Sequence, residues 1–425
     1  MTNNEGGTGK LKVKPVCRSS EGEDALRFNP LINRNFALLA LGYFTSLCGD
    51  SIHQVALIWW LYNITGSPGT TGLLTMAAMI PALILGPYLG VLADRLDRRK
   101  IVYSMDFCRS AVIGVLALLA FLGKLQIWHV VMSSVLIGII SSFFSPACSA
   151  LIPQLVGVEN LQRAQSVTQT FGGMVGIFGP VIGGLLVSSF GYATAFLVNA
   201  IALMLSGISE VFIRCEYMPL DDEEDGWKAL KKAIDFTFGT PTIIGILLVF
   251  GLMNFALAPL SSVTVPYIIK DRLGKTATEL GLVMTFLSIG SITGSVLMGT
   301  MKNPKRRSPM IVLAGIGIGF ALISWIMIPT LWWFYTISVV SGFMMVIITI
   351  NAGVLLLSHT PDNMRGKMTA FTHFITSLLS PISLAIFSLV AKANTDLVFY
   401  FPAVTGVLIM SASLFLLRVK GFKQL

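Results

Sequence analysis

Apolar residues fill the chain in long unbroken blocks separated by short polar and charged breaks. A strand of such length would alternate apolar and polar positions, and a soluble helix would keep one polar face. About 20 consecutive apolar residues cross a bilayer core of roughly 30 Å. The pattern therefore predicts twelve membrane-spanning helices, over about 36–62, 70–93, 101–122, 127–152, 164–189, 192–213, 242–269, 278–301, 309–328, 331–357, 367–391 and 397–417. Most breaks carry turn chemistry: Gly66-Ser67-Pro68-Gly69, Phe190-Gly191, Pro329-Thr330 and Ala393-Asn394. The expected fold class is an all-α polytopic membrane protein, its twelve transmembrane helices arranged as two six-helix pseudo-repeats.

The longest internal gap marks the midpoint. It holds an acidic run, Asp221 to Asp225, and then Gly226 to Ile234, a stretch that fits either a short helix on the inner membrane face or a solvated linker. The expected organisation is a tail over 1–32, a six-helix half over 33–213, a linker over 214–241, a second half over 242–417 and a tail over 418–425. The halves echo each other weakly. Gly72-Leu73 and Gly281-Leu282 open spans two and eight, Gly90 and Gly299 close them, and basic clusters follow both. Duplicated six-helix units are how many carriers are built, with the substrate between them.

Composition narrows the class. Hydrophobic residues are 54% of the chain and charged residues 12%, against about 25% charged in soluble proteins. The net charge of +9 does not point to nucleic acid, because the basic residues sit in short loops between spans, where they set topology. With the N-terminus inside, 24 Lys and Arg fall on the cytoplasmic side and 5 outside (Lys124, Lys270, Arg272, Lys275 and Lys392). Both termini are thus expected in the cytoplasm of a multi-pass protein of the plasma or inner membrane. The polar, charged N-terminal stretch does not follow the plan of a secretory signal. The five cysteines are scattered, with no Cys-x-x-Cys pair, so neither a disulfide framework nor a metal site is expected. His-Glu-x-x-His and Gly-x-Ser-x-Gly are both missing, and the four histidines lie far apart. An enzyme is not expected, nor a cofactor; the expected energy source is a proton gradient.

Polar positions inside the spans single out Phe36 to Ile64. Asp50 lies at its midpoint, with Tyr43 and Ser46 before it and His53 and Gln54 after it, all on one helical face. A carboxylate at membrane depth is costly and marks an ion or substrate path. Arg34 is sixteen residues away, too far to pair with it. Arg109 reads as lying near the cytoplasmic end of span three. Asp50 is therefore expected to be a lone deep acid without a cation. Burial without a partner favours the protonated carboxyl. Either Asp50 loads and releases a coupling proton, with His53 one turn on sharing it, or it stays neutral, bonded to Ser or Gln neighbours.

Between spans two and three stands Gly90-Val91-Leu92-Ala93-Asp94-Arg95-Leu96-Asp97-Arg98-Arg99-Lys100. This run resembles the loop signature of the major facilitator superfamily, with Asp97 in place of its glycine. The resemblance covers about 33–420. It implies that Gly90, Asp94, Arg95, Arg98 and Arg99 form a conformational latch, Asp94 engaging the start of span eleven near Asp362-Asn363-Met364. If the helix continued, Asp94 and Arg98 would be i,i+4 partners. In span five, Gly176, Gly179, Pro180, Gly183 and Gly184 resemble the antiporter motif of proton-coupled exporters. Their small side chains also suit close helix packing. Gly49-Asp50, Thr65 to Pro68, Pro153 to Val156, and Pro361 with Arg365-Gly366 are similar to the macrolide-efflux-type branch. That branch also holds siderophore exporters and lysophospholipid flippases.

The resemblance implies a secondary active transporter that exports amphipathic small molecules by alternating access, of the multidrug-resistance type, coupled to proton influx through Asp50. The alternatives are a lysophospholipid flippase, a siderophore or metabolite exporter, sodium coupling, or a non-transporting receptor. The cavity is expected between the halves, with Tyr43, Gln54, Gln165, Gln169, Asn254, Asn351 and His373 as polar candidates. Pro259 and Pro266 are expected to break span seven toward the outside. The expected partners are the substrate, protons and the lipid bilayer, without nucleic acid, and the protein is expected to be a monomer.

Overall fold

The computed structural model describes residues 33–94, 96–157, 160–214, 234–301, 307–327, 330–361 and 364–417. Among them the chain forms twelve long helices: α1 (Arg34–Thr65), α2 (Pro68–Asp94), α3 (Arg98–Phe121), α4 (Ile127–Val156), α5 (Leu161–Phe190), α6 (Tyr192–Val211), α7 (Pro241–Arg272), α8 (Ala277–Thr300), α9 (Ser308–Ser324), α10 (Leu331–His359), α11 (Arg365–Ala393) and α12 (Leu397–Leu416). Each end falls within four residues of the span read from the apolar pattern. Ten are long and apolar enough to cross a membrane. The other two are α9, with 17 residues, and α1, whose middle carries Asp50, His53 and Gln54.

Local chemistry sets the boundaries. The Asn33 side chain accepts from the amides of Asn35 and Phe36 and starts α1; Gly66, at φ 57°, closes it in the left-handed conformation. Pro68 then opens α2. Thr276 and Glu279 form a reciprocal capping box at the start of α8. Asp97 accepts from the amides of Arg99 and Lys100 and caps α3. The helix therefore does not run unbroken from Asp94 to Arg98, because Asp97 takes the extended backbone of a cap (φ −63°, ψ 103°); the side chain of Asp94 lies outside the described residues. The aspartate that departs from the loop signature is the cap that begins α3.

Helix α7 corrects another expectation. It does not break at its prolines. An α-helical run to Pro259 passes into π-helical turns over Leu260–Thr264 and Ile268–Arg272, flanking Val265–Tyr267. Widening the turn accommodates the amide that each proline lacks.

Within the first six helices, α1 packs on α5 and α6, α3 on α4 and α6, and α2 on α4; within the last six, α8 packs on α10, α7 on α11, and α9 on α10 and α12. The two sets meet mainly where α5 lies on α8 and α2 on α11. Large apolar side chains such as Val115, Phe178, Trp332 and Phe415 point outward, as lipid contact requires and water would not.

The start of α1 and the end of α12 lie at one face of the bundle, because twelve spans return the chain to its starting side. At the opposite, far face the two sets close on each other. Tyr62 of α1 donates to Asp271 of α7, and Thr278 of α8 meets Ser188 of α5 at 3.0 Å. Gly184 of α5 lies so close to α8 that a Cβ there would fall 2.5 Å from the Ala277 carbonyl and 2.9 Å from Thr278 Cα. Toward the face where α1 starts the sets part: a Cβ on Gly172 would meet nothing within 4 Å, and Gln165 and Gln169 are exposed.

Candidate functional site

Helix α1 carries Asp50 sixteen residues past Arg34, about 24 Å along its axis, and α3 carries Arg109 eleven residues past Arg98, about 16 Å along. The long arginine side chain covers the remaining level. Its Nη2 donates to Asp50 Oδ2, and its Nη1 donates to Asp106 Oδ1 at 3.3 Å. The guanidinium also stands 5.7 Å from the centre of the Phe144 ring on α4. This overturns the expectation of a lone acid without a cation. Counting residues from the helix end placed Arg109 too low, because it ignored the reach of the side chain.

Nor is Asp50 the only deep carboxyl. Asp106 on α3 and Glu210 on α6 are fully sealed from solvent, and the Ser206 hydroxyl lies beside both, donating to Glu210 Oε1 at 3.5 Å. Oδ2 of Asp106 and Oε2 of Glu210 are buried without a partner among the described residues. Two carboxyls, Asp50 and Asp106, thus share one guanidinium, and Glu210 lies close by through Ser206. Only Asp50 opens to a cavity: its side chain is 37% exposed, against 6% for Arg109 and 0% for Asp106.

That cavity, of about 420 Å³, runs toward the face where α1 starts. Asp50, Ser46 and Tyr43 line it from α1, Gln165, Thr168 and Gln169 from α5, and Ser141, Ser145 and Ser149 from α4. A second cavity, of about 530 Å³, lies farther along the same α1/α4 seam, toward the far face. Its walls are apolar: Leu57 and Leu61 of α1, Leu74 and Met79 of α2, Val130 and Ile137 of α4, with Pro381 of α11. His53 and Gln54 line it too. The polar face of α1 is therefore divided, with Tyr43, Ser46 and Asp50 in one cavity and His53 and Gln54 in the other. His53 makes no hydrogen bond to Asp50. Its ring packs on Phe196 at 5.2 Å between centroids, and its Nδ1 is sealed without a partner.

The remaining polar candidates stand apart from these cavities. Asn254 donates to the Phe250 carbonyl of its own helix at 3.0 Å. Asn351 is fully buried, accepts from Arg307 at 3.2 Å and donates to the Ile347 carbonyl. His373 is exposed on α11. Of the expected latch, Arg99 donates to the Val211 carbonyl at 2.9 Å and ties α3 to the end of α6, while Arg98 begins α3. Arg95 and residues 362–363 lie outside the described residues, as do the side chains around Gly90 and Asp94.

The glycine motif of α5 has two neighbours. A Cβ on Gly179 would fall 2.5 Å from Ser51 Oγ, and one on Gly183 would fall 3.0 Å from Ile52 Cα, both on α1 beside Asp50. Gly176 and Gly184 face α8 instead, and the Pro180 carbonyl lies against Gly281. Helix α5 thus joins the helix of Asp50 to the other set.

The site residues that the sequence reading missed had signals. Asp106 and Arg109 stand at i,i+3 and Ser206 and Glu210 at i,i+4 within apolar runs, while Ser141, Ser145 and Ser149 recur every four residues.

A bundle of this topology, with an ionisable cluster opening into a cavity between helices, defines a class: a secondary transporter of the major facilitator fold. The chain belongs to the transmembrane secretion effector family, whose sequence model matches residues 25–421. It is 25% identical over 369 residues to macrolide efflux protein A of Streptococcus pyogenes, covering 84% of this chain and 89% of that one. It is 27% identical over 339 residues to enterobactin exporter EntS of Salmonella typhi, covering 78% and 80%. Among solved structures it is similar to a bacterial homolog of the lysosomal transporter Spinster in an inward-facing, occupied conformation, with a TM-score of 0.71 at 15% identity over 92% of this chain and 97% of that one; the likeness is one of fold. The chain is a multi-pass membrane transporter of the export type, and not an enzyme.

Proposed function

We propose that this transporter exports amphipathic small molecules of the macrolide or multidrug type by alternating access, and that proton entry through Asp50 drives it. The observation that carries the reading is the Asp50–Arg109–Asp106 arrangement: a cation held between one carboxyl that faces a cavity and one that is sealed. A proton arriving at Asp50 cancels its charge and frees Arg109 to turn wholly to Asp106. That loosens α1 from α3. Because α5 packs on α1 through Gly179 and Gly183 and on α8 through Gly184, the change reaches the contact between the two six-helix halves. Release of the proton to the other side restores the pair and resets the cycle. The excess of 24 over 5 basic residues supports cytoplasmic termini, so the polar cavity would open inward.

The test is uptake into proteoliposomes under imposed proton and sodium gradients, across a panel of macrolides, dyes and lysolipids. Asp50→Asn should express normally and lose proton-driven transport; unchanged transport in that variant overturns the coupling. The similarity to the enterobactin exporter favours a second reading, export of a metabolite by the same route. In that case the panel would leave macrolides unmoved and the proton dependence intact.

A further inference from the structure

Serine and threonine hydroxyls inside membrane helices usually satisfy themselves on a carbonyl of the preceding turn. On α4, Ser133, Ser134 and Ser142 do so, at 2.8, 2.8 and 2.9 Å. Ser141, Ser145 and Ser149 do not. These three stand one turn apart along the wall of the polar cavity, and no protein group among the described residues accepts from or donates to their hydroxyls. Pro153 further deprives the Ser149 carbonyl of its helical donor. Opposite, the side-chain amides of Gln165 and Gln169 are also uncommitted. The cavity thus presents a row of free hydrogen-bonding groups, and the one carboxylate that opens to it, Asp50, is already engaged by Arg109.

The apolar cavity continues this one along the same helices. On α1 the linings pass from Asp50 to His53, and on α4 from Ser141 to Gly138. Three residues of helix separate them, about 4.5 Å. Each volume lies within the range of small-molecule pockets, roughly 300–1,000 Å³.

We infer that the two cavities form one binding site for an amphiphile with an uncharged, hydroxyl-rich polar part, which lies against Ser141, Ser145 and Ser149, while its apolar part reaches past Asp50 into the chamber walled by Leu57, Leu74 and Val130. This rests on the reading of the chain as an exporter of amphiphiles, and it names the class of polar group. A quaternary ammonium finds its one candidate carboxylate already paired, and a sulfate finds the one guanidinium paired.

The experiment measures binding to the full chain in lipid nanodiscs, with no gradient imposed. The probes are three ligands of one tail length: radiolabelled dodecyl glucoside, dodecyltrimethylammonium and dodecyl sulfate. The glucoside should bind tightest. The triple variant Ser141→Ala/Ser145→Ala/Ser149→Ala should weaken it roughly tenfold or more, and the matching threonine triple should restore it. Ala78→Phe, placed in the apolar chamber, should weaken the dodecyl glucoside and spare a butyl glucoside. Tighter binding of either charged ligand overturns the proposal. So does a triple alanine variant that keeps the wild-type melting temperature and glucoside affinity. Binding of this kind does not depend on proton coupling, so the loss or survival of transport in Asp50→Asn is a separate result.

Discussion

Arg109 on α3 holds Asp50 on α1 across fifty-nine positions of chain, and the same guanidinium holds Asp106 one turn below it. Removing one partner of a buried pair leaves the other charge without compensation, whereas removing both leaves an apolar contact. Arg109→Met should therefore destabilise the protein by on the order of 2–3 kcal/mol. Asp50→Asn should cost less, because Asp50 is partly exposed and Arg109 keeps Asp106. The double variant should recover part of the loss. Thermal unfolding of the four proteins in one detergent checks this; coincident melting of Arg109→Met and wild type would show that the pair does not matter to stability.

The helices and most of the breaks between them were legible in the sequence because their causes are local. A continuous apolar run needs no knowledge of its neighbours, and glycine, proline and aspartate at the breaks act within a few residues. The site was legible only in part. Asp50 stood out because a carboxylate in an apolar run is rare. Its partner did not, because which helix lies beside α1, and how far an arginine reaches along it, are matters of tertiary packing. The same holds for Asn351: it reads as a cavity residue, yet Arg307 and the close contact of α8 with α10 enclose it. Glu210 lies near the end of an apolar run and reads as a boundary residue, whereas α1 and α3 seal it completely.

The cap on α3 has a measurable worth. Asp97→Ala removes the acceptor for the amides of Arg99 and Lys100 and should cost about 1 kcal/mol, while Asp97→Gly, which restores the residue of the loop signature, should cost only a few tenths. Hydrogen exchange at those two amides is the direct measurement. Equal protection in wild type and Asp97→Ala would mean that the cap is not holding the helix start.

Closure of the far face depends on contacts that substitution can remove one at a time. Tyr62→Phe deletes the hydroxyl that donates to Asp271 while keeping the ring against Tyr267 and Lys270. Gly184→Ala drives a methyl into the Ala277 carbonyl. Both should shift the population toward a far-face-open form, Gly184→Ala more strongly, since backbone cannot move aside as a side chain can. A cysteine pair at Ser188 and Thr278 reports the shift. Disulfide formation should be fastest in the parent protein, slower in Tyr62→Phe and slowest in Gly184→Ala. Unchanged cross-linking in all three would mean that these contacts do not govern closure.

Glu210 tests whether the sealed acids take part in coupling or only in packing. The groups that face it are Asp106 and Arg109 from α3 and Cys148 from α4, with Ser206 beside it on its own helix; α1 presents Gly42. One guanidinium cannot neutralise three carboxylates away from water, and two carboxyl oxygens of the cluster have no donor among the described residues. Under the proposed coupling, a proton on Glu210 or Asp106 would relieve that charge, and Arg109 would link it to Asp50. Glu210→Gln keeps the shape and the bond to Ser206 but cannot exchange a proton. It should slow proton-driven accumulation several-fold while leaving substrate counterflow, which needs no net proton movement, at the wild-type rate. A packing role alone would lower both rates together with the melting temperature, and a variant that accumulates substrate normally would confine coupling to Asp50.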